Sequence, residues 1–158
     1  MTSNSLSHTV LKDIGFMLLA EGKTIRVRAD GMSMHPSIKS GSVIFIEPYE
    51  PGAKPRPGEI IAWKRDTGIV VHRLVNVYDQ KMQRHFVTRG DSCLGEDDPI
   101  VYEQIAGKVV RIENPEGKPV PPYKYAGIKP NYRLNRILVR IISQIYRILP
   151  PTPPKGGL

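Results

Sequence analysis

A serine in a glycine-led segment is the first residue whose surroundings suit nucleophilic chemistry. Ser33 lies within GMSMHP, residues 31–36. A serine hydroxyl attacks a carbonyl efficiently only when a neighbouring base accepts its proton. Backbone N–H groups must also stabilise the oxyanion that forms. A turn that begins at Gly31 exposes the hydroxyl among apolar neighbours, so Ser33 is a candidate nucleophile; the alternative is an ordinary turn serine.

The candidate base is a histidine within a run of β-branched residues. His72 lies in IVVHRLVNV, residues 69–77, which predicts a strand. Side chains alternate along a strand, so His72 shares a face with Val70 and Leu74. That placement is also typical of a buried structural histidine. An imidazole is nevertheless the side chain best suited to exchange protons near neutral pH.

An acidic loop offers a third group. Asp91, Glu96, Asp97 and Asp98 follow the segment FVTRG within a few residues of one another. One carboxylate beside the imidazole would orient the ring and stabilise its protonated form, as in a Ser-His-Asp triad. A solvated turn is the alternative. No metal-ligand spacing or cofactor motif accompanies these residues, so we expect no metal and no cofactor.

The elements that must position these groups are mostly short strands. Apolar residues recur at helical spacing over residues 5–21 and predict an N-terminal helix, with Ser7 as a possible cap. Fifteen prolines and fourteen glycines indicate many turns. We expect a mainly β fold, a partly closed barrel or folded antiparallel sheet. About seven strands are predicted, among them residues 24–28, 42–46, 58–64, 69–77, 86–89 and 105–112.

The C-terminal part differs in charge. Residues 123–158 carry seven basic and no acidic side chains, whereas the whole chain has a net charge of +8. Residues 132–149 place apolar side chains three and four apart with arginines between them, which predicts a basic amphipathic helix. We expect it either to lie on an anionic membrane surface or to pack its apolar side on the body. The ending PPTPPKGGL is predicted to be disordered.

The sequence also limits where the protein can reside and whether it can contain a disulfide. One cysteine, Cys93, excludes an internal disulfide. The N-terminal apolar run has seven residues before Glu21, far fewer than the roughly 20 that a spanning helix needs. It lacks a basic leading region and a small-residue cleavage site. We therefore expect a peripheral membrane-associated or cytoplasmic protein without a transmembrane span or secretion signal.

Four segments in one order resemble the type I signal peptidases, serine peptidases related to the self-cleaving repressor peptidases. GMSMHPSIKSGSVIFI is similar to the nucleophile box, PRPGEIIAWKR to the following strand, IVVHRLV to the base strand and FVTRGDSCLGEDD to the TRGD box. Most bacterial members have lysine at the position of His72, and histidine is typical of the endoplasmic-reticulum and archaeal branch. Gly31 replaces a serine of the lysine branch, and the family's N-terminal anchor is not recognised here.

The resemblance implies an endopeptidase that cleaves peptides or preproteins with small residues at P1 and P3. It implies Ser33 as nucleophile, His72 as base and Asp98 as third member, with Asp97 as the alternative and Asp91 mostly structural. It implies a nucleophile loop that includes Gly31, Met32, Met34 and Pro36. The domain organisation would be an N-terminal helix (1–22), a peptidase domain (23–118), and a linker, basic helix and disordered end (119–158).

Two other functions stay open. A repressor-type self-cleaving peptidase would need a DNA-binding domain and an Ala-Gly or Cys-Gly bond before Ser33, and neither is seen. A non-catalytic module on the same scaffold would use the basic C-terminal part to bind a peptide or nucleic acid. No nucleic-acid motif is present, so we do not expect a nucleic-acid partner.

Overall fold

The fold is one antiparallel sheet flanked by a helix at each end of the described chain. The computed structural model describes residues 13–65, 68–127 and 129–148. Short 3-10 turns lie at Tyr102–Gln104 and Pro122–Lys124. The other elements are α1 (helical over residues 13–20), β1 (Ile25–Arg28), β2 (Val43–Glu47), β3 (Ile60–Arg65), β4 (Gly68–Gln80), β5 (Gln83–Arg89), β6 (Ile105–Glu113) and α2 (Tyr132–Ile148).

The six strands are ordered β1-β2-β6-β3-β4-β5, and every neighbouring pair is antiparallel. The sheet does not close, so β1 and β5 are its edges. The expected mainly β fold with a folded antiparallel sheet is therefore confirmed. The described residues contain six named strands where the sequence suggested about seven. β6 lies between β2 and β3 because of pairing between distant segments. The alternation of apolar and polar residues within one strand does not reveal such pairing.

The central strand β3 is buried on both faces. Ile60 and Ala62 belong to a core cluster that includes Ile44 and Ile46, whereas Ile61 and Trp63 belong to a second cluster with Leu74 and Phe86. Successive side chains of a strand point to opposite faces, so an uninterrupted apolar run such as IIAW fits a strand covered on both sides. This rigid centre supports β4, its neighbour, on which His72 lies.

The long strand β4 changes partners near the middle of its length. Residues 68–73 pair with β3, and residues 73–80 pair with β5. His72 is paired with Ile61 of β3, and the pairing with β5 begins one residue later, at Arg73 with Arg89. His72 therefore lies just outside the β4–β5 ladder, at the edge of the segment that β5 does not cover.

Both predicted helices are present in the described residues, α1 near the start and α2 at the end. α1 ends at a turn in which Gly22 has a φ of 79° and the Lys23 amide donates to the Leu18 carbonyl. Residues 5–12 of the predicted first helix, including Ser7, lie outside the described residues, as do residue 149 and the proline-rich ending. Within the described part of the chain, no helix is long and apolar enough to cross a membrane.

The apolar side of α2 does not pack on the body. Asn135 is its one buried residue among positions 132–148, while Leu134, Ile137, Ile141 and Ile145 are each about half exposed (48–53%). The alternative in which the apolar side covers the body is therefore wrong for this helix. The body meets α2 through polar and aromatic groups instead.

Candidate active site

Ser33 lies in the turn between β1 and β2, and the turn is tied to the loop that follows β5. Gly31 opens the turn with a φ of 84°, a conformation that favours glycine. The Ser92 amide donates to the Ser33 carbonyl (2.9 Å), and the Ser92 hydroxyl donates to the Met32 carbonyl (2.7 Å). Met34 is buried in the core. The bonds from Ser92 hold the backbone at residues 32 and 33, and the buried Met34 side chain holds the next residue.

His72 contacts Ser33 and one of the two candidate carboxylates. Its Nε2 lies 3.1 Å from Ser33 Oγ, and its Nδ1 lies 2.6 Å from Asp97 Oδ2. The three groups therefore form one hydrogen-bonded chain from hydroxyl to imidazole to carboxylate. With the ring proton on Nδ1 donated to Asp97, Nε2 is left with a lone pair that can accept the Ser33 proton.

Asp97, rather than Asp98, is the carboxylate on His72. The Asp97 amide donates to the Thr88 carbonyl (2.8 Å), and the Thr88 hydroxyl donates to Asp97 Oδ2 (2.6 Å). Asp98 is exposed, as is Glu96. The sequence favoured Asp98 as the third member, whereas the structure places Asp97, its alternative, against His72. The backbone bond to Thr88 sets which of two adjacent carboxylates faces the ring, and adjacent residues in extended chain point in opposite directions.

The environment of Asp97 stabilises its charge. Burial by itself would raise the pKa of this carboxyl, but hydrogen bonds from His72 and Thr88 oppose burial and together hold the pKa below its usual value. Arg65 adds a weaker contact, with Nη2 3.8 Å from Oδ1. Asp97 is therefore a carboxylate near neutral pH, as the orienting group of a triad must be.

Asp91, to which the resemblance gives a mostly structural role, lies in a buried ion pair. It forms a two-bond ion pair with Arg73, Nε to Oδ1 and Nη2 to Oδ2 at 2.8 Å each, and both residues are almost fully buried. Ser37 donates to the same carboxylate at 2.5 Å. Arg73 also donates to the Gly58 and Tyr125 carbonyls. The pair thus joins the nucleophile turn, the base strand and the chain beyond β6.

Gly90 makes the closest backbone approach to the site. A Cβ placed there would lie 2.7 Å from the Ser33 carbonyl oxygen and from Cys93 Sγ, and 3.1 Å from His72 Nε2. Any side chain would therefore press against the Ser33 backbone, Cys93 and the His72 ring. This is the physical reason for a glycine in the segment TRGD at this point of the fold.

A cavity of about 310 Å³ opens beside the Ser33 hydroxyl and His72. Apolar side chains of β1, β2 and β4 form much of its wall, and Arg28, Asp30 and Arg65 contribute charge. The wall includes the edge strand β1 and the part of β4 that β5 leaves uncovered. Both have backbone groups that an extended peptide can pair with.

Several residues of the site are not evident from the sequence. Ser92, Gly90 and Arg65 contact segments that are far apart from them in the chain, and Thr88 contacts Asp97 across a separation of 9 residues. The sequence does place three of them in or beside the TRGD box. It does not indicate which atoms these residues contact.

A mainly β sheet that brings a hydroxyl, an imidazole and a carboxylate into one hydrogen-bonded chain has the arrangement of a serine-peptidase fold. Comparison with known families agrees, because the model of the family described as Peptidase S24-like matches residues 5–87. The chain therefore belongs to the Peptidase S24-like family. The matched stretch contains Ser33 and His72 and ends before Asp97. No curated protein matches the chain.

Proposed function

We propose that this protein is a serine endopeptidase of the signal-peptidase type that acts through Ser33, His72 and Asp97. The observation that carries the proposal is the pair of distances at the His72 ring, 3.1 Å from Nε2 to Ser33 Oγ and 2.6 Å from Nδ1 to Asp97 Oδ2. These are the contacts that a general base and its orienting carboxylate need. Membership of the Peptidase S24-like family supports a peptidase.

The first half of the reaction forms an acyl-enzyme. Ser33 Oγ attacks the peptide carbonyl carbon as its proton passes to His72 Nε2. The negative charge that develops on the carbonyl oxygen is stabilised by backbone N–H groups, among them that of Ser33. The tetrahedral intermediate then breaks its C–N bond, and His72 gives the proton to the departing amine.

The second half restores the enzyme. Water replaces the amine, His72 Nε2 accepts a water proton, and the resulting hydroxide equivalent attacks the acyl carbon. The ester bond to Ser33 Oγ breaks and the proton returns to that oxygen. Asp97 stays ionised throughout, holding the proton of Nδ1 in place and stabilising the imidazolium after each transfer.

Substrate is proposed to bind as an extended strand beside β1 and the uncovered part of β4. The cavity there has apolar walls and a moderate volume, about 310 Å³. Such a site fits small apolar side chains flanking the scissile bond, in agreement with the P1 and P3 preference that the resemblance implies. Preproteins and unfolded peptides are the substrate class.

Cleavage of peptides in trans tests this function. A mixture of peptides with small or large residues at P1 and P3 is incubated with the protein, and products are identified by mass spectrometry. We expect cleavage after small residues by the wild-type protein and none by Ser33→Ala. Equal cleavage by a purified Ser33→Ala protein would contradict the proposal.

A repressor-type self-cleaving peptidase is the second candidate, because the family match is compatible with both types. The two differ in what is cut. Incubation of the protein alone at raised pH, followed by intact-mass measurement, is expected to leave the chain whole. Cleavage of the chain by itself, lost in Ser33→Ala, together with inactivity on peptides would favour the repressor type.

A further inference from the structure

Helix α2 carries an apolar surface that nothing in the described part of the chain covers. Its members share one side of the helix and are 39–78% exposed. In water such a contiguous apolar surface is unfavourable and normally indicates a binding site. We refer to this set as the apolar stripe: Leu134, Ile137, Leu138, Ile141, Ile145 and Ile148.

The opposite side of α2 attaches the helix to the body. The Arg89 guanidinium carbon lies 3.6 Å from the centroid of the Tyr132 ring, and Asn135 Nδ2 donates to the Asp91 carbonyl at 2.9 Å. Further along, the Ser143 hydroxyl contacts Met32 Sδ at 3.9 Å. Tyr132, Asn135 and Ser143 fall on one side of a helix with 3.6 residues per turn. The stripe is therefore held facing away from the body.

The charge of α2 favours one kind of partner. Its arginines are Arg133, Arg136, Arg140 and Arg147, and residues 123–158 contain no Asp or Glu. The helix needs a partner with both negative charge and an apolar region, and anionic lipids have both. Their phosphates accept hydrogen bonds from guanidinium groups, and their acyl region receives isoleucine and leucine side chains. If a second copy of the chain covered the stripe with its own α2, the arginines of the two helices would meet without any acidic side chain of either helix to pair with them.

We propose that α2 lies on an anionic membrane surface, with the apolar stripe inserted among the lipids and its arginines on the phosphates. The helix has 17 residues and is not apolar enough to span, which agrees with a position in the interface. Because Ser143 contacts Met32, the residue before Ser33, the bound helix also holds the cavity close to the lipid surface. This consequence rests on the proposed function and restricts the substrate to peptide segments that lie at a membrane.

Vesicle co-sedimentation of the full chain tests the proposal without using activity. The lipids are phosphatidylcholine alone and phosphatidylcholine with 30% phosphatidylglycerol. One variant removes apolar area and keeps the charge (Ile137→Ser, Ile141→Ser and Ile145→Ser together). A second removes charge and keeps the area (Arg133→Gln, Arg140→Gln and Arg147→Gln together). The matched charge control replaces exposed lysines of the body, Lys23→Gln, Lys54→Gln and Lys118→Gln.

The wild-type protein is expected to bind the anionic vesicles and to bind the neutral ones far less. Each helix variant should lower the partition coefficient about 100-fold, whereas the lysine control should keep most of the binding. Circular dichroism establishes that the variants are folded. Wild-type protein that fails to bind anionic vesicles at low salt, or a serine variant that binds like wild type, would overturn the proposal.

Two further measurements separate the alternatives. If light scattering shows a wild-type dimer that the serine variant converts to a monomer, with no vesicle binding by either, the stripe is an interface between copies and the membrane proposal fails. Ser33→Ala is expected to bind vesicles as wild type does. Loss of peptidase activity with retained vesicle binding, or the reverse, therefore shows which of the two proposals has failed.

Discussion

Asp97 Oδ2 lies 2.6 Å from His72 Nδ1, on the far side of the ring from the nitrogen that contacts Ser33. The carboxylate is aligned by Thr88, which donates its hydroxyl to the same oxygen and accepts the Asp97 amide with its carbonyl. Thr88 is fully buried, so this support is shielded from water. In the proposed mechanism, this arrangement holds the proton on Nδ1 and sets the direction of the imidazole.

Replacing Asp97 is predicted to disable the base without removing it. In Asp97→Asn the amide nitrogen can donate to Nδ1, which places the ring proton on Nε2 and prevents that atom from accepting the Ser33 proton. We expect kcat to fall by about two to four orders of magnitude. Asp98→Asn, the matched change at the exposed neighbour, should leave kcat within about twofold. The reverse order of effects in steady-state peptide cleavage would show that Asp98 completes the site.

Acid stability should report the charge of Asp97 directly. Its pKa is lowered in the folded protein, so its contribution to stability is complete above the unfolded value of about 3.9 and is lost as pH falls through the lower folded value. Denaturant unfolding between about pH 6 and pH 3 should therefore show a steeper loss of free energy for wild type than for Asp97→Asn. If the free energy of unfolding fell equally with pH in the two proteins, the folded state would not stabilise the Asp97 charge.

A methyl group at position 90 is predicted to impair catalysis through crowding. The Cβ of Gly90→Ala would lie 2.7 Å from the Ser33 carbonyl oxygen, and a backbone atom cannot move aside without shifting the nucleophile. We expect a rate loss of about 10- to 100-fold. Gly95→Ala is the control, because nothing lies within 4 Å of its added Cβ. Both variants are compared by peptide cleavage after a thermal melt establishes that each is folded.

The buried pair Arg73–Asp91 is predicted to support stability rather than chemistry. Arg73→Met leaves the Asp91 carboxylate buried without its main partner, and this should cost about 3–5 kcal/mol in the free energy of unfolding. The same change in an exposed pair, Arg84→Met beside Asp79, should have a much smaller effect because water and salt screen that pair. Denaturant unfolding of both variants makes the comparison, and equal losses would contradict it.

Local features of the sequence predicted most of the elements. Period-2 alternation and β-branched runs found the strands, and 3.6-residue spacing found α2, because both patterns depend on near neighbours. The position of β6 between β2 and β3 and the partner change of β4 depend on distant pairing and were not predictable. The direction of the apolar stripe of α2 also depends on the body, through Asn135 and Tyr132.

The candidate site shows the same division. Motif order and residue type sufficed to select Ser33 and His72, which the structure brings within hydrogen-bond distance of each other. Choosing between Asp97 and Asp98 required the path of one loop, which the Thr88 backbone bond determines. Ser92, which holds the Ser33 carbonyl across a separation of 59 residues, leaves no local trace in the sequence.

Covalent labelling by a serine-reactive acylating probe measures the proposed proton transfer itself, because acylation requires the Ser33 hydroxyl to lose its proton to His72. Intact-protein and peptide mass spectrometry follow the extent and position of labelling over time. We expect one added acyl group on Ser33 in wild type, none in Ser33→Ala, and labelling slowed by at least about 100-fold in folded His72→Gln. No labelling of the folded wild-type protein, or labelling of Ser33 at the same rate without the imidazole, would contradict it.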